Sequence, residues 1–167
     1  QRGHTLDSKE YMPASYGSGG DINNIQSSFY TRNDYIDILK HAKSKFIDVI
    51  PEIETPGHAR AAIKAMDARY EKYKNTDLAA AKQYLLRDTL DQSVYKSVQG
   101  FKDNVMNIAM PSTYTFIEKV VDEVKAMYIL ANAPLKTIHI GGDEVPDGVW
   151  QKSPAIAALM QKENIKT

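Results

Sequence analysis

The sequence predicts an α/β fold with parallel strands, as in one part of a (β/α)8 TIM barrel. Two observations support this fold class. A helical pattern followed by a short strand occurs twice, and we interpret both strands as apolar segments of a sheet covered on both faces. The chain has 167 residues, whereas a closed barrel needs about 200 or more. We therefore expect part of a barrel and not a complete one.

The first helix and strand are marked by local signals. Thr31 and Asp34 have the spacing of a capping box, and apolar residues follow at helical spacing, which predicts a helix over residues 32–44. Residues 46–50 are short, apolar and partly β-branched, and Pro51 follows them. This pattern predicts a strand.

The rest of the chain continues the alternation. We predict a second helix over residues 59–74 and a helical stretch running into an irregular polar excursion over residues 77–99. A strongly amphipathic helix capped by Ser112 is predicted to end near Ala131. Residues 136–140 are predicted to form the second strand, and Pro154 to begin a last helix ending near Lys162.

Composition excludes several classes of protein. The 21 Lys and Arg balance 21 Asp and Glu, so binding to nucleic acid through a general basic field is not expected. The absence of cysteine excludes disulfides, thiolate metal sites and cysteine nucleophiles. No apolar run is long enough for a transmembrane segment. The chain starts at Gln1 without a signal-peptide pattern, so we expect a processed or excised piece.

Near the N-terminus, residues 1–29 carry many turn-forming residues and no apolar periodicity, which predicts a surface loop. Its glycine cluster, residues 17–20, lacks the preceding strand and following helix that a phosphate-binding loop requires.

Acidic residues follow both predicted strands. Glu52 and Glu54 come after the first strand, and Asp143 and Glu144 come after the second. Ligands bind at this edge of parallel α/β folds. For Glu54 we favour a helix N-cap or a loop charge. For Asp143 and Glu144 we favour a functional pair, because two preceding glycines allow a sharp turn and close approach of a ligand.

These segments resemble glycoside hydrolase family 20, the β-N-acetylhexosaminidases. Residues 139–144 have the sequence HIGGDE, similar to the family's acid/base signature, and residues 49–58 have the sequence VIPEIETPGH, similar to its other marked segment. Residues 2–6 and 97–99 also resemble connecting segments of chitobiase-like members. The resemblance implies that residues 1–167 are the central part of the catalytic (β/α)8 domain, without its first and last strands.

The resemblance implies a reaction as well. The family hydrolyses terminal, non-reducing β-linked N-acetylglucosamine or N-acetylgalactosamine with retention and without an enzyme nucleophile. The sugar's 2-acetamido oxygen attacks C1 and forms an oxazolinium ion. Glu144 would be the general acid and then the base, and Asp143 would accept the acetamido N–H and stabilise the developing positive charge. Oligosaccharides or glycoconjugates would be the partners, and neither a cofactor nor a metal is implied.

His58 is the third catalytic candidate, and three further residues, Glu52, His139 and Trp150, are candidates for substrate binding or support. His58 matches a histidine that couples to the acid/base residue, although alone it would suggest packing or capping at the second helix. His139 is expected to be a buried, hydrogen-bonded support residue. Glu52 is expected to bind His58 or the strand end. Trp150 could stack on a sugar, but a single aromatic residue is more often part of a core.

Alternative functions remain open at this point. The chain could be a non-catalytic or inactive carbohydrate-binding fragment of such an enzyme. A metal hydrolase using His58, His139, Asp143 and Glu144 is less favoured, because no short His spacing occurs. We also expect at least two unpaired strand edges, which invite self-association. Similarity to bacterial family members suggests a periplasmic or secreted location.

Overall fold

The computed structural model describes residues 30–165, which contain five helices. They are α1 (Arg32–Ser44), α2 (Arg60–Tyr73), α3 (Leu78–Lys82), α4 (Pro111–Ala131) and α5 (Pro154–Lys162). The predictions of α1, α2 and α5 are confirmed to within a residue at each end, and α4 begins two residues before its predicted start. The prediction of a helical stretch running into an irregular segment over residues 77–99 is confirmed, with the helical part limited to the short α3. The predicted N-terminal loop and its glycine cluster lie outside the described residues.

Both strand predictions are wrong as they were drawn. Within residues 30–165, pairing between the two segments is limited to one parallel bridge, Glu52 to His139. Backbone hydrogen bonds run from Ile53 N to His139 O (2.9 Å), from His139 N to Pro51 O (3.0 Å) and from Thr55 N to Ile140 O (3.0 Å). Parallel strands are normally covered on both faces, and an isolated pair of strands is marginally stable. Among the described residues each segment pairs only with the other, so regular strands do not form, although the parallel direction is as predicted.

Two small apolar clusters form the core. In the first, Ile36 and Leu39 of α1 pack against Tyr128 and Ala131 of α4. The Tyr128 hydroxyl donates to the carbonyl of Val49 at 2.8 Å, which attaches the first extended segment to this helix pair. Burial raises the pKa of Tyr128, so the phenol stays a neutral donor.

The second cluster joins α2 to the irregular segment between α3 and α4. Its buried members are Ala59, Ile63, Leu86 and Met106. Tyr95 stabilises this irregular segment, because its hydroxyl accepts the backbone N–H groups of Asn104 (3.0 Å) and Val105 (3.2 Å).

The local sequence predicts where α1 and α5 begin, but it does not predict where α4 begins. Thr31 and Asp34 form the predicted capping box, and the Ser153 side chain caps α5. The predicted cap Ser112 is wrong, because α4 begins at Pro111 after Met110. The Ser112 hydroxyl instead donates to the Leu85 carbonyl at 2.6 Å. Among the helices described, none is long and apolar enough to cross a membrane.

Candidate active site

The parallel bridge brings the two motif segments side by side, with both C-terminal ends at one edge. Beyond the bridge, Gly57 packs against the backbone of Asp143. A Cβ at position 57 would lie 2.7 Å from the Asp143 carbonyl oxygen. The two backbones therefore approach as closely as glycine allows, and this contact places residues 141–144, which we term the acidic turn.

Glu54 binds the acidic turn directly. Its Oε1 accepts the backbone N–H of Gly142 at 2.7 Å and that of Asp143 at 3.0 Å. These two hydrogen bonds, the Gly142 bond first, lower the pKa of Glu54. Of the two predicted alternatives for Glu54, the helix N-cap is wrong, because Ala59 occupies that position in α2 and makes no side-chain cap. The loop charge is confirmed, because Glu54 lies in an irregular segment. Glu54 instead joins one motif to the other.

Glu144 faces His58 across the two segments. The His58 Nε2 atom lies 3.4 Å from Glu144 Oε2, and their side chains are 31% and 43% exposed. Both residues have a left-handed backbone, with φ of 49° at His58 and 48° at Glu144. Non-glycine residues in this region are uncommon and cluster at functional sites.

Gln99 is a third member of this group. Its Nε2 donates to the same Glu144 oxygen, Oε2, at 2.6 Å. In the sequence analysis, residues 97–99 were noted only because they resemble a connecting segment of chitobiase-like members, and no role was predicted for the Gln99 side chain. No local pattern could have revealed the contact, because Gln99 and Glu144 are 45 positions apart.

Asp143 is exposed, and its backbone is fixed by Glu54. Within the described part of the chain, no hydrogen bond or ion pair is made by its carboxylate. The structure thus places Asp143 and Glu144 on one turn. The Glu144 carboxylate accepts a hydrogen bond from Gln99 and lies near His58, whereas the Asp143 carboxylate is available to a ligand.

His139 and Glu52 form a separate pair. His139 Nδ1 lies 3.5 Å from Glu52 Oε1 and accepts the backbone N–H of Gly141 at 3.2 Å. The prediction of a buried His139 is wrong, because its side chain is 59% exposed. No element of residues 30–165 covers this side of the paired segments. Glu52 lies beside His139 at the strand end and not beside His58.

Trp150 lies away from the acidic turn. Its indole N–H donates to the Met106 carbonyl at 3.1 Å, and the ring lines a cavity of about 290 Å³ together with Tyr95 and Asp103. The residues around this cavity do not include Asp143 or Glu144.

The four residues of the metal-hydrolase alternative do not converge. His58 pairs with Glu144, whereas His139 pairs with Glu52. Across residues 30–165 there is no group of three or more His, Asp or Glu side chains arranged to bind a metal ion.

Adjacent carboxylates beyond the ends of parallel segments, one of them beside a histidine, are groups suited to general acid–base catalysis. The profile of "Glycosyl hydrolase family 20, catalytic domain" matches residues 4–167. The chain therefore belongs to glycoside hydrolase family 20.

The names of proteins with similar sequences are consistent with this family. The chain is 45% identical over 147 residues to Beta-hexosaminidase B of Pseudoalteromonas piscicida, covering 86% of this chain and 18% of the relative. It is 45% identical over 138 residues to N,N'-diacetylchitobiase of Vibrio harveyi, covering 81% and 16%.

A solved structure is also similar. It is the Vibrio harveyi GH20 exo-β-N-acetylglucosaminidase in complex with N-acetylglucosamine, which matches with a TM-score of 0.66 and 39% identity. The match covers 83% of this chain and 18% of that one. The chain thus spans less than a fifth of the length of these relatives.

Proposed function

We propose that this chain is the acid/base segment of a β-N-acetylhexosaminidase that releases terminal, non-reducing β-linked N-acetylglucosamine or N-acetylgalactosamine. The observation that carries the proposal is the 3.4 Å pair of His58 and Glu144 beside Asp143 on the acidic turn. Membership of family 20 and the hexosaminidase and chitobiase names of its relatives support it. Oligosaccharides or glycoconjugates ending in this sugar are the proposed substrates.

Glu144 is the proposed general acid. It protonates the glycosidic oxygen while the substrate's acetamido oxygen attacks C1, and then removes a proton from the water that opens the oxazolinium ion. Its exposed carboxylate can reach a bound ligand, and His58 lies within electrostatic range of its Oε2. No cofactor is required by this reaction.

Asp143 is proposed to orient the acetamido group. Its carboxylate would accept the acetamido N–H and stabilise the positive charge that develops as the ring closes. Because that charge is absent in the ground state, the interaction lowers the barrier more than it tightens binding. Two hydrogen bonds from the acidic turn to Glu54 fix the backbone that carries Asp143.

Residues 1–167 are proposed to be a partial catalytic domain, with the two paired segments as neighbouring barrel strands. The barrel's first and last strands would come from other parts of the whole protein. Phe46 is fully exposed and Ile47 and Ile50 are more than half exposed, as expected for apolar residues that adjoining strands would cover. A periplasmic or secreted location is proposed from the bacterial relatives.

Hydrolysis of 4-nitrophenyl β-N-acetylglucosaminide by the whole protein tests this function. We expect Glu144→Gln to lower kcat/KM by about 10²–10⁴-fold, because glutamine cannot donate the proton. Glu118→Gln, at an exposed position of α4, is the matched control and should retain full activity. Sugar binding without turnover by the wild type would instead favour the non-catalytic alternative.

A further inference from the structure

The two oxygens of the Glu144 carboxylate have different surroundings. Oε2 lies 2.6 Å from the Gln99 amide nitrogen and 3.4 Å from His58 Nε2. Oε1 makes no hydrogen bond with any of residues 30–165. A carboxyl group with one oxygen held by a hydrogen bond, here from Gln99, has its other oxygen free for proton transfer.

Gln99 is itself fixed by a tight turn. The N–H of Gly100 donates to the carbonyl of Ser97 at 2.8 Å, and the Ser97 N–H donates to the Phe101 carbonyl at 2.8 Å. The buried Ser97 hydroxyl also accepts the Phe101 N–H at 3.1 Å. Gly100 has a φ of 85°, which favours glycine at this position. Gln99 therefore projects from a backbone with several anchoring bonds.

We propose that Gln99 is a positioning residue that binds Oε2 of Glu144 so that Oε1 carries the catalytic proton. This inference rests on the proposed hexosaminidase function. In the first step the proton on Oε1 passes to the glycosidic oxygen as its bond to C1 breaks and the acetamido oxygen bonds to C1. In the second step Oε1 takes a proton from the water that attacks C1 while the bond between C1 and the acetamido oxygen breaks, which restores both the acid and the acetamido group.

A neutral amide suits this task. In both protonation states of Glu144 the Oε2 atom can accept a hydrogen bond, so the Gln99 N–H donates throughout the reaction. A Lys or Arg at this position would instead favour the ionised form and disfavour the acid that the first step requires. Gln99 therefore orients the carboxyl group without fixing its charge.

Leaving-group dependence provides the test. In the whole protein we compare wild type with Gln99→Met, which keeps the side-chain length but removes the donor. Gln92→Met is the control, at another exposed glutamine of the same irregular segment. Each variant is assayed on aryl β-N-acetylglucosaminides whose phenols differ in acidity, because only poor leaving groups need a well-placed proton.

We expect Gln99→Met to lower kcat/KM by about 10–100-fold for poor leaving groups and little for dinitrophenol, with KM nearly unchanged. An equal loss across the series, or no loss, would overturn the role of Gln99. The proposed function is judged separately, since it requires wild-type turnover and its loss in Glu144→Gln whatever Gln99→Met does.

Discussion

The carboxylate of Glu54 occupies the space in which a side chain at Gly141 would begin. A Cβ at position 141 would lie 2.2 Å from Glu54 Oε1, and the backbone φ there is 73°. The short distance and the positive φ both require glycine at position 141. The double glycine before Asp143 therefore lets the carboxylate of one motif reach the backbone N–H groups of the other.

Replacing Gly141 should disturb the acidic turn. Gly141→Ala forces Glu54 or the turn to move, and misplacement of catalytic groups by about 1 Å costs about 10²-fold in rate. We expect a loss of this size in kcat for the whole protein. Gly142→Ala is the control, because a Cβ at position 142 would meet no atom within 4 Å. The backbone φ of 123° there also favours glycine, so this variant has the backbone strain without the clash. Equal losses in both variants would show that backbone strain, and not the Glu54 contact, is responsible.

Removing the Glu54 carboxylate should affect activity more than stability. Glu54→Ala leaves the N–H groups of Gly142 and Asp143 without their protein acceptor, but these residues are exposed and water can replace it. We expect a fall in kcat of about 10²-fold with little change in Tm, and a smaller fall for Glu54→Gln, whose amide oxygen still accepts. Full activity of Glu54→Ala would show that the turn needs no such support.

Asp103 should make stability sensitive to acid. Burial alone raises its pKa, but hydrogen bonds from Arg60 (2.6 Å) and Lys64 (2.8 Å) outweigh burial and lower it overall. A lowered pKa in the folded state adds stability above the ordinary carboxyl value of 3.8, and this stability is lost as pH falls through the folded-state pKa.

Asp103→Asn should therefore lower Tm near neutral pH. As the pH drops below about 4, the Tm of this variant should fall less steeply than that of the wild type. The measurement is Tm of the whole protein as a function of pH. Asp122→Asn, at an exposed position of α4, is the control and should follow the wild-type curve. An Asp103→Asn curve parallel to that of the wild type would contradict this account.

The isolated chain should associate with itself. Phe46, Ile47 and Ile50 are exposed along one segment, and each segment has an unpaired edge within the described residues. Sedimentation velocity of the 167-residue chain should show dimers or larger species that grow with concentration. A cooperatively folding monomer would contradict the view that it is part of a barrel.

Features that depend on neighbouring residues were predictable from the sequence. The capping box of α1 was predicted because its partners lie three positions apart, and the start of α5 was predicted because proline is favoured in the first turn of a helix. The strands were not predictable, because a strand needs partners that are distant in sequence. The partner of Glu54 could not be predicted for the same reason, since Gly142 is 88 positions away.

In the proposed reaction the substrate's own acetamido oxygen attacks C1 while Glu144 supplies the proton. The most direct measurement is kcat/KM of the whole protein on aryl N-acetylglucosaminides in which the acetyl group carries none, one, two or three fluorines. Fluorine withdraws electrons from the carbonyl oxygen, so we predict a steep fall in kcat/KM with each added fluorine. Hydrolysis at a rate independent of fluorination would contradict the account and indicate an enzyme nucleophile.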